Sequence, residues 1–185
     1  MARDTAKTGK SETLTIRLDP KTRFVLEYVS RLKGQTITTV VERAIVNAAS
    51  SEGVPDFEFG GQLSWQAFWD VSDGARAIKI ARRSEFFPSF EEERRTAFCE
   101  EHWPFFFLSA DKKQFRYPLL NVLWPRIDEY VDIHEKTKSG GEYWAAGKAM
   151  QRALSEARIK PPKWPTEKDS GKEHPPRELD DEIQF

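Results

Sequence analysis

Cys99 and His102 are the first pair of side chains whose types and spacing suggest chemistry. They are three residues apart in a helical pattern, so they share one helix face. A thiolate and an imidazole can ligate a metal ion or act as a nucleophile and its base. A metal site needs more ligands, however, and the only other histidines are His134 and His174. The two acidic residues after Cys99 disfavour its thiolate, so we expect a buried thiol, no metal and no cofactor.

Carboxylates are the other candidate catalytic groups. Glutamates cluster at positions 91–93 and 100–101, in a pattern typical of a solvent-exposed helix face. The sequence contains no Gly-rich phosphate loop, no G-x-S-x-G and no H-E-x-x-H motif. We therefore predict no catalytic residues and no enzymatic activity.

Charge is distributed unevenly along the chain. The net charge is −1, yet residues 1–33 include eight basic and four acidic residues. A basic end on a mildly acidic body suits an anionic partner that is contacted at one end only. The single cysteine, the charged start and the lack of any run near the roughly 18 apolar residues of a membrane span favour a cytoplasmic protein with no membrane contact.

One strand and two helices are predicted within residues 11–50, after a basic arm over residues 1–10 that we expect to be disordered. Residues 12–18 alternate strictly, which predicts a half-buried strand. Asp19 and Pro20 then end the strand and begin a helix, as an N-cap and first-turn proline. Gly34 is a suitable C-terminal residue for that helix, and Thr36 is a suitable N-cap for the next one.

These three elements cannot bury their apolar faces in a single copy. One seven-residue strand leaves unpaired backbone groups on both edges, and about 50 residues are marginal as a domain. Two copies solve both problems, because the strands pair antiparallel and four helices cover the ribbon. The predicted core of this homodimer consists of Leu14, Ile16, Leu18, Leu26, Val29, Val40, Val41 and Ile45.

The order of these elements resembles the MetJ/Arc/CopG ribbon-helix-helix family of DNA-binding proteins. The resemblance lies in the segment Thr13–Pro20 (TLTIRLDP), in Gly34 between the helices and in Gln35–Thr38 (QTIT) at the start of the second helix. It covers residues 11–50, about a quarter of the chain. It implies that a two-stranded ribbon of the homodimer enters the major groove of double-stranded DNA.

The resemblance also implies two sets of DNA contacts. Outward strand residues would reach base edges, and an arginine can bond both guanine acceptors there. These residues are Thr13, Thr15 and Arg17. Phosphate would be bound by the unpaired N–H groups that begin the second helix and by lysines of the arm. These positions are Thr36, Ile37, Thr38, Lys7 and Lys10.

The rest of the chain differs in composition. We predict a linker over residues 51–56, an aromatic-rich all-α domain over residues 57–160 and a disordered Pro-rich, charged tail over residues 161–185. Pro125 is expected to split a long helix, and Trp164 is expected to pack back on the domain or to bind a partner. Most aromatic residues are expected in the core: Trp65, Phe68, Trp69, Phe86, Phe87, Phe90, Phe98, Trp103, Phe105, Phe106, Phe107, Tyr117, Trp124 and Tyr130.

The predicted fold is thus mostly α, with a dimerising ribbon-helix-helix module before a helical domain. This indicates a sequence-specific transcriptional regulator, a repressor, with a possible protein partner through residues 57–185. One alternative is an antitoxin that represses its own operon and binds a toxin through its tail. Others are a plasmid partition or relaxosome accessory protein, and a dimerisation module that does not bind DNA.

Overall fold

The computed structural model describes residues 13–165 of the chain. This part is mostly helical, with one small two-stranded antiparallel sheet. The chain divides into two compact units between Gly53 and Val54. No helix among residues 13–165 has the length and apolar character needed to cross a membrane. The arm at residues 1–10 and the tail beyond Pro165 lie outside the described residues.

The first unit contains the two predicted helices, α1 (Pro20–Lys33) and α2 (Ile37–Ser51). Asp19 caps α1, because its carboxylate accepts hydrogen bonds from the backbone N–H groups of the second and third residues after it. Gly34 ends α1 in the left-handed conformation, with φ +60°, which glycine adopts without strain. Thr36 caps α2. Both helix starts and the glycine turn are therefore confirmed.

The predicted strand is not formed in the single chain. Residues 13–19 have no regular secondary structure, and all of them are exposed. A strand of this kind needs a neighbour for its backbone N–H and C=O groups, and residues 13–165 of one copy provide none at this segment.

The second unit begins with a short hairpin that the sequence did not predict. Strands β1 (Val54–Pro55) and β2 (Gln62–Leu63) pair antiparallel, with Val54 opposite Leu63. Asp56 orders the connection by accepting hydrogen bonds from two backbone N–H groups, and two glycines with positive φ reverse the chain. The hairpin replaces the end of the predicted linker, so the second unit is not purely α-helical.

Helices form the remainder of the second unit. They are α3 (Trp65–Phe68), α4 (Asp73–Ala81), α5 (Phe90–Glu101), α6 (Trp103–Phe106), α7 (Tyr117–Leu123), α8 (Ile127–Lys138) and α9 (Ala145–Glu156). Short 3₁₀ turns cover Ser84–Phe86 and Trp124–Arg126. The second turn contains Pro125 and separates α7 from α8, as predicted. A reciprocal pair of hydrogen bonds between Ser89 and Glu92 begins α5.

Only part of the aromatic set lies in the core of the second unit. Phe98, Phe105–Phe107 and Tyr130 are buried, together with aliphatic residues of α4, α7, α8 and α9. The expectation that most aromatic residues are core is wrong for a group at the surface: Trp65, Trp69, Phe86, Phe87, Phe90 and Tyr117. The most exposed is Phe87, at 89%, which ends a 3₁₀ turn. Composition shows how many aromatic residues a domain has, but not which of them its helices cover.

The predicted start of the disordered tail, residue 161, lies too early in the chain. Residues 161–165 lie against the second unit, and the Trp164 ring contacts the rings of His102, Phe105 and Trp144 at centroid distances of 4.9, 5.5 and 5.4 Å. Gln151 of α9 also donates a hydrogen bond to the carbonyl of Pro162. Of the two expectations for Trp164, packing back on the domain is the one observed.

Gly74 sets the close approach of α4 to α7. A Cβ added there would lie 2.8 Å from Leu120 Cδ1 and from two ring carbons of Trp124. We expect Gly74→Ala to lower the free energy of unfolding by about 1–3 kcal/mol, because both neighbours are held in a packed interface. Urea unfolding measures the change. Gly140→Ala is the control, since its Cβ meets only ordinary contact at 3.8 Å. Equal effects at both positions would contradict this explanation.

Candidate nucleic-acid interface

In the segment before α1, residues 13–18, polar and aliphatic side chains alternate, so an extended chain would have one polar and one aliphatic face. Thr13, Thr15 and Arg17 alternate with three aliphatic residues, and all six side chains are exposed in the single chain. The aliphatic members are exposed to unusual degrees, at 76% for Leu14, 57% for Ile16 and 43% for Leu18. Three regularly spaced aliphatic side chains normally pack against another surface. In one copy of the chain, those of this segment are exposed to solvent instead.

The two helices of the first unit pack on each other but enclose no core. No residue of α1 or α2 is buried. Of the predicted dimer-core positions on the helices, Ile45 is exposed and four are half-buried: Leu26, Val29, Val40 and Val41. In one copy the predicted core residues of the helices are therefore half-buried at most, and no closed core forms around them.

A further apolar stripe on α1 was not predicted as functional. Phe24, Tyr28 and Leu32 follow one another at four-residue intervals, and all three are exposed. The rings of Phe24 and Tyr28 stack with centroids 6.4 Å apart. Their spacing was the available signal, because residues four apart share a helix face. This stripe extends the uncovered apolar surface of the first unit.

Thr36 caps the start of α2, where a phosphate contact is predicted. The Thr36 hydroxyl oxygen accepts a hydrogen bond from the Thr39 backbone N–H at 3.1 Å. Ile37 and Thr38 are exposed at the first helical positions, where backbone N–H groups have no partner within the helix. The cap role of Thr36 and a phosphate contact at this helix end are compatible. Lys7 and Lys10, the other predicted phosphate ligands, lie outside the described residues.

The cap that precedes α1 fixes where the segment ends and the helix begins. Hydrogen bonds from Thr22, first from its hydroxyl and then from its backbone N–H, hold the pKa of Asp19 below its ordinary value. Because this folded-state pKa is lowered, the cap stabilises α1 above the ordinary carboxyl pKa. It is lost as the pH falls through the lowered value.

Cys99 and His102 do not form a reactive pair. Cys99 is fully buried in the core, and burial raises the pKa of its thiol far above the ordinary value. The His102 ring lies beside Phe98 instead, with Nδ1 3.2 Å from the Phe98 carbonyl oxygen. The expected buried thiol is therefore observed. The fold brings His102 close to His134, which lies 32 residues further along the chain, and no local pattern could have indicated this.

The chain was compared with known proteins at three levels. The comparisons with protein-family models, with curated proteins and with solved structures found no match.

Proposed function

We propose that residues 11–50 form a ribbon-helix-helix module and that the protein is a homodimeric, sequence-specific DNA-binding transcriptional repressor. The main supporting observation is the lack of any buried residue between Thr13 and Gly53, although this segment has a regular apolar pattern. Two helices with apolar stripes and no core need a partner surface to be stable.

A second copy of the chain is the partner that meets both needs of the first unit. Residues 13–18 need a neighbouring strand, and an antiparallel copy of the same segment provides one through a two-fold axis. The same operation brings the aliphatic faces of two segments and four helices together. The polar faces, with Thr13, Thr15 and Arg17, then point away from the new core because side chains alternate along a strand.

DNA fits the face that such a dimer leaves exposed. A two-stranded ribbon is narrow enough for the major groove, and the Arg17 guanidinium can bond guanine O6 and N7 together. Threonine can bond a base edge or contact a thymine methyl group. The exposed start of α2 would hold a backbone phosphate beside the ribbon. Two small threonines per strand provide little direct recognition, so DNA shape would contribute to specificity.

The structure of the second unit favours a repressor over an antitoxin. Antitoxin tails that fold on a toxin have little core of their own, whereas residues 54–165 enclose a core with Phe98, Phe105–Phe107 and Leu120. The second unit would then serve as a sensor, a dimer extension or a partner-binding module. A partition or relaxosome role differs in the location of the bound sites, which would lie away from promoters.

Selection of binding sites from random double-stranded DNA tests the proposal. We expect the full-length protein to enrich a sequence with two-fold symmetry, since a symmetric dimer binds a symmetric site. We expect binding to weaken steeply as salt rises, because phosphate contacts release counterions. If no DNA changes electrophoretic mobility with the protein at low salt, the proposal is wrong and the first unit serves dimerisation alone.

Arg17→Ala tests the predicted base contact. We expect the variant to remain a folded dimer and to lose about 1–3 kcal/mol of binding free energy for the selected site, with a much smaller loss on random DNA. Fluorescence anisotropy with labelled duplexes measures both affinities. Arg43→Ala is the matched control, because it removes the same charge from an exposed position on α2. Equal losses on both duplexes would make Arg17 a phosphate contact instead.

A further inference from the structure

Three metal-ligating side chains meet where α5 ends and α8 passes it. Glu101 is the last residue of α5, His102 follows it, and His134 lies on α8. One ligand atom from each lies within 4.8 Å of the other two. Glu101 Oε2 is 3.2 Å from His134 Nε2, and the two imidazole rings are nearly perpendicular with centroids 4.9 Å apart.

The arrangement of His102 resembles that of a histidine prepared to bind a metal ion. Its Nδ1 lies 3.2 Å from the Phe98 carbonyl oxygen, which can only accept a hydrogen bond. Nδ1 therefore bears the hydrogen in the neutral ring, and Nε2 has the lone pair. Metal-binding histidines commonly donate their other ring N–H to a carbonyl in this way. Phe98 and Trp164 stack against the ring and restrict its rotation.

His134 is the second buried imidazole of the cluster, and its Nε2 faces the Glu101 carboxylate. Its side chain is only 6% exposed, and its Nδ1 is buried without a hydrogen-bond partner among the described residues. Because Nε2 is the ring nitrogen that faces Glu101, Nε2 would be the metal ligand, and the buried Nδ1 would need a partner of its own, such as a water molecule. Ion pairs hold α8 against α5 nearby, from Arg94 to Asp132 and Glu135 and from Arg95 to Asp128.

The carboxylate completes the donor set and keeps it accessible. Glu101 is 39% exposed, so an ion can reach the cluster from solvent. The Tyr143 hydroxyl donates a hydrogen bond to the other carboxylate oxygen, Oε1, which orients the group. Two imidazoles and one carboxylate are ligands typical of zinc and other divalent transition metals, whereas calcium and magnesium prefer oxygen ligands alone.

The observed spacing agrees with such an ion. Metal–ligand bonds of about 2.0–2.1 Å in a tetrahedral site place neighbouring donor atoms roughly 3.4 Å apart. The distance of 3.2 Å between Glu101 Oε2 and His134 Nε2, which pair directly while no ion lies between them, is close to that value, and the three ligand atoms all lie within 4.8 Å of one another. The sequence offered too few ligands near Cys99 for us to expect a metal, but the fold brings His134 to the cluster.

We propose that Glu101, His102 and His134 bind one divalent transition-metal ion, Zn²⁺ or a similar ion, with a fourth position open to solvent or a ligand. The site lies entirely within the second unit, so it does not depend on DNA binding by the first. The ion would join the end of α5 to α8.

Metal titration of the full-length chain tests this proposal. The protein is purified without a histidine tag, stripped with a chelator and titrated with Co²⁺ and Zn²⁺. We expect one Co²⁺ per chain, visible d–d absorption of a four-coordinate ion, displacement by Zn²⁺, and quenching of tryptophan fluorescence because Trp164 stacks on His102. We also expect Zn²⁺ to raise the unfolding temperature, because an ion that binds only the folded state stabilises it.

Two variants and one control make the result decisive. Glu101→Gln changes an accessible side chain, so the variant should fold. Its metal affinity should fall by more than about 100-fold, because loss of a ligand should cost more than loss of a group that only hydrogen-bonds to a ligand, for which 100-fold is the upper range. His134→Gln should do the same. His174→Gln removes the remaining histidine of the sequence and should leave binding unchanged. No bound Co²⁺ in the unsubstituted protein, or undiminished binding by Glu101→Gln, would overturn the proposal.

Discussion

Leu14→Lys is expected to convert the protein from a dimer to a monomer and to abolish specific DNA binding. In the proposed dimer, Leu14 lies on the inner face of the ribbon, so the variant would place two ammonium groups in an apolar core. The single chain leaves Leu14 at 76% exposure, so the substitution costs nothing within one copy. Light scattering with size-exclusion chromatography distinguishes the 21.4 kDa chain from a species of twice that mass.

Thr15→Lys is the matched control for this prediction. It adds the same charge one residue away, where the alternation of the strand places the side chain on the opposite face. This variant should remain a dimer. A folded, dimeric Leu14→Lys variant would show that the proposed strand register is wrong. A monomeric unsubstituted protein at micromolar concentration would contradict the dimer itself.

Removal of the Trp164 ring is expected to have the largest effect on the second unit. The ring contacts three other rings of α5–α6 and the segment before α9, and it covers Gly147 on α9. We expect Trp164→Ala to lower the free energy of unfolding by about 3 kcal/mol, at the lower end of the range for buried tryptophan because the residue is half-buried. Urea unfolding monitored by circular dichroism measures this change.

Gly147 makes this prediction more specific through a double-mutant cycle. A Cβ at Gly147 would lie far inside van der Waals contact with the Trp164 indole, so Gly147→Ala should displace the ring and destabilise the unit. In the Trp164→Ala background the same change should be neutral or stabilising by up to about 1 kcal/mol, the helix propensity difference between alanine and glycine. The same destabilisation in both backgrounds would show that Gly147 does not make room for the indole.

Local chemistry in the sequence predicted the helix boundaries well. Asp19 before Pro20, Gly34 and Thr36 each satisfy backbone groups within a few residues, so their effect can be deduced without tertiary structure. Pro125 divides α7 from α8 for an equally local reason, since its ring cannot continue a helix without a break.

The features that the sequence did not predict depend on contacts between distant residues. The sequence left open whether Trp164 packs back on the domain or binds a partner, and it could not indicate that the ring meets His102, 62 residues earlier. His134 and Glu101 meet only because α8 packs along α5. The exposure of Phe87 and Phe90 could not be deduced either, because composition does not show which aromatic faces a fold leaves uncovered.

Because Cys99 is buried, its thiol can be used to measure transient opening of the core in the second unit. Its thiol is the only one in the sequence, and in the native state it is both enclosed and protonated. An alkylating reagent can therefore react only when this part of the core opens, and the labelling rate measures the free energy of that opening. Since the first unit has no cysteine, the measurement follows the second unit alone.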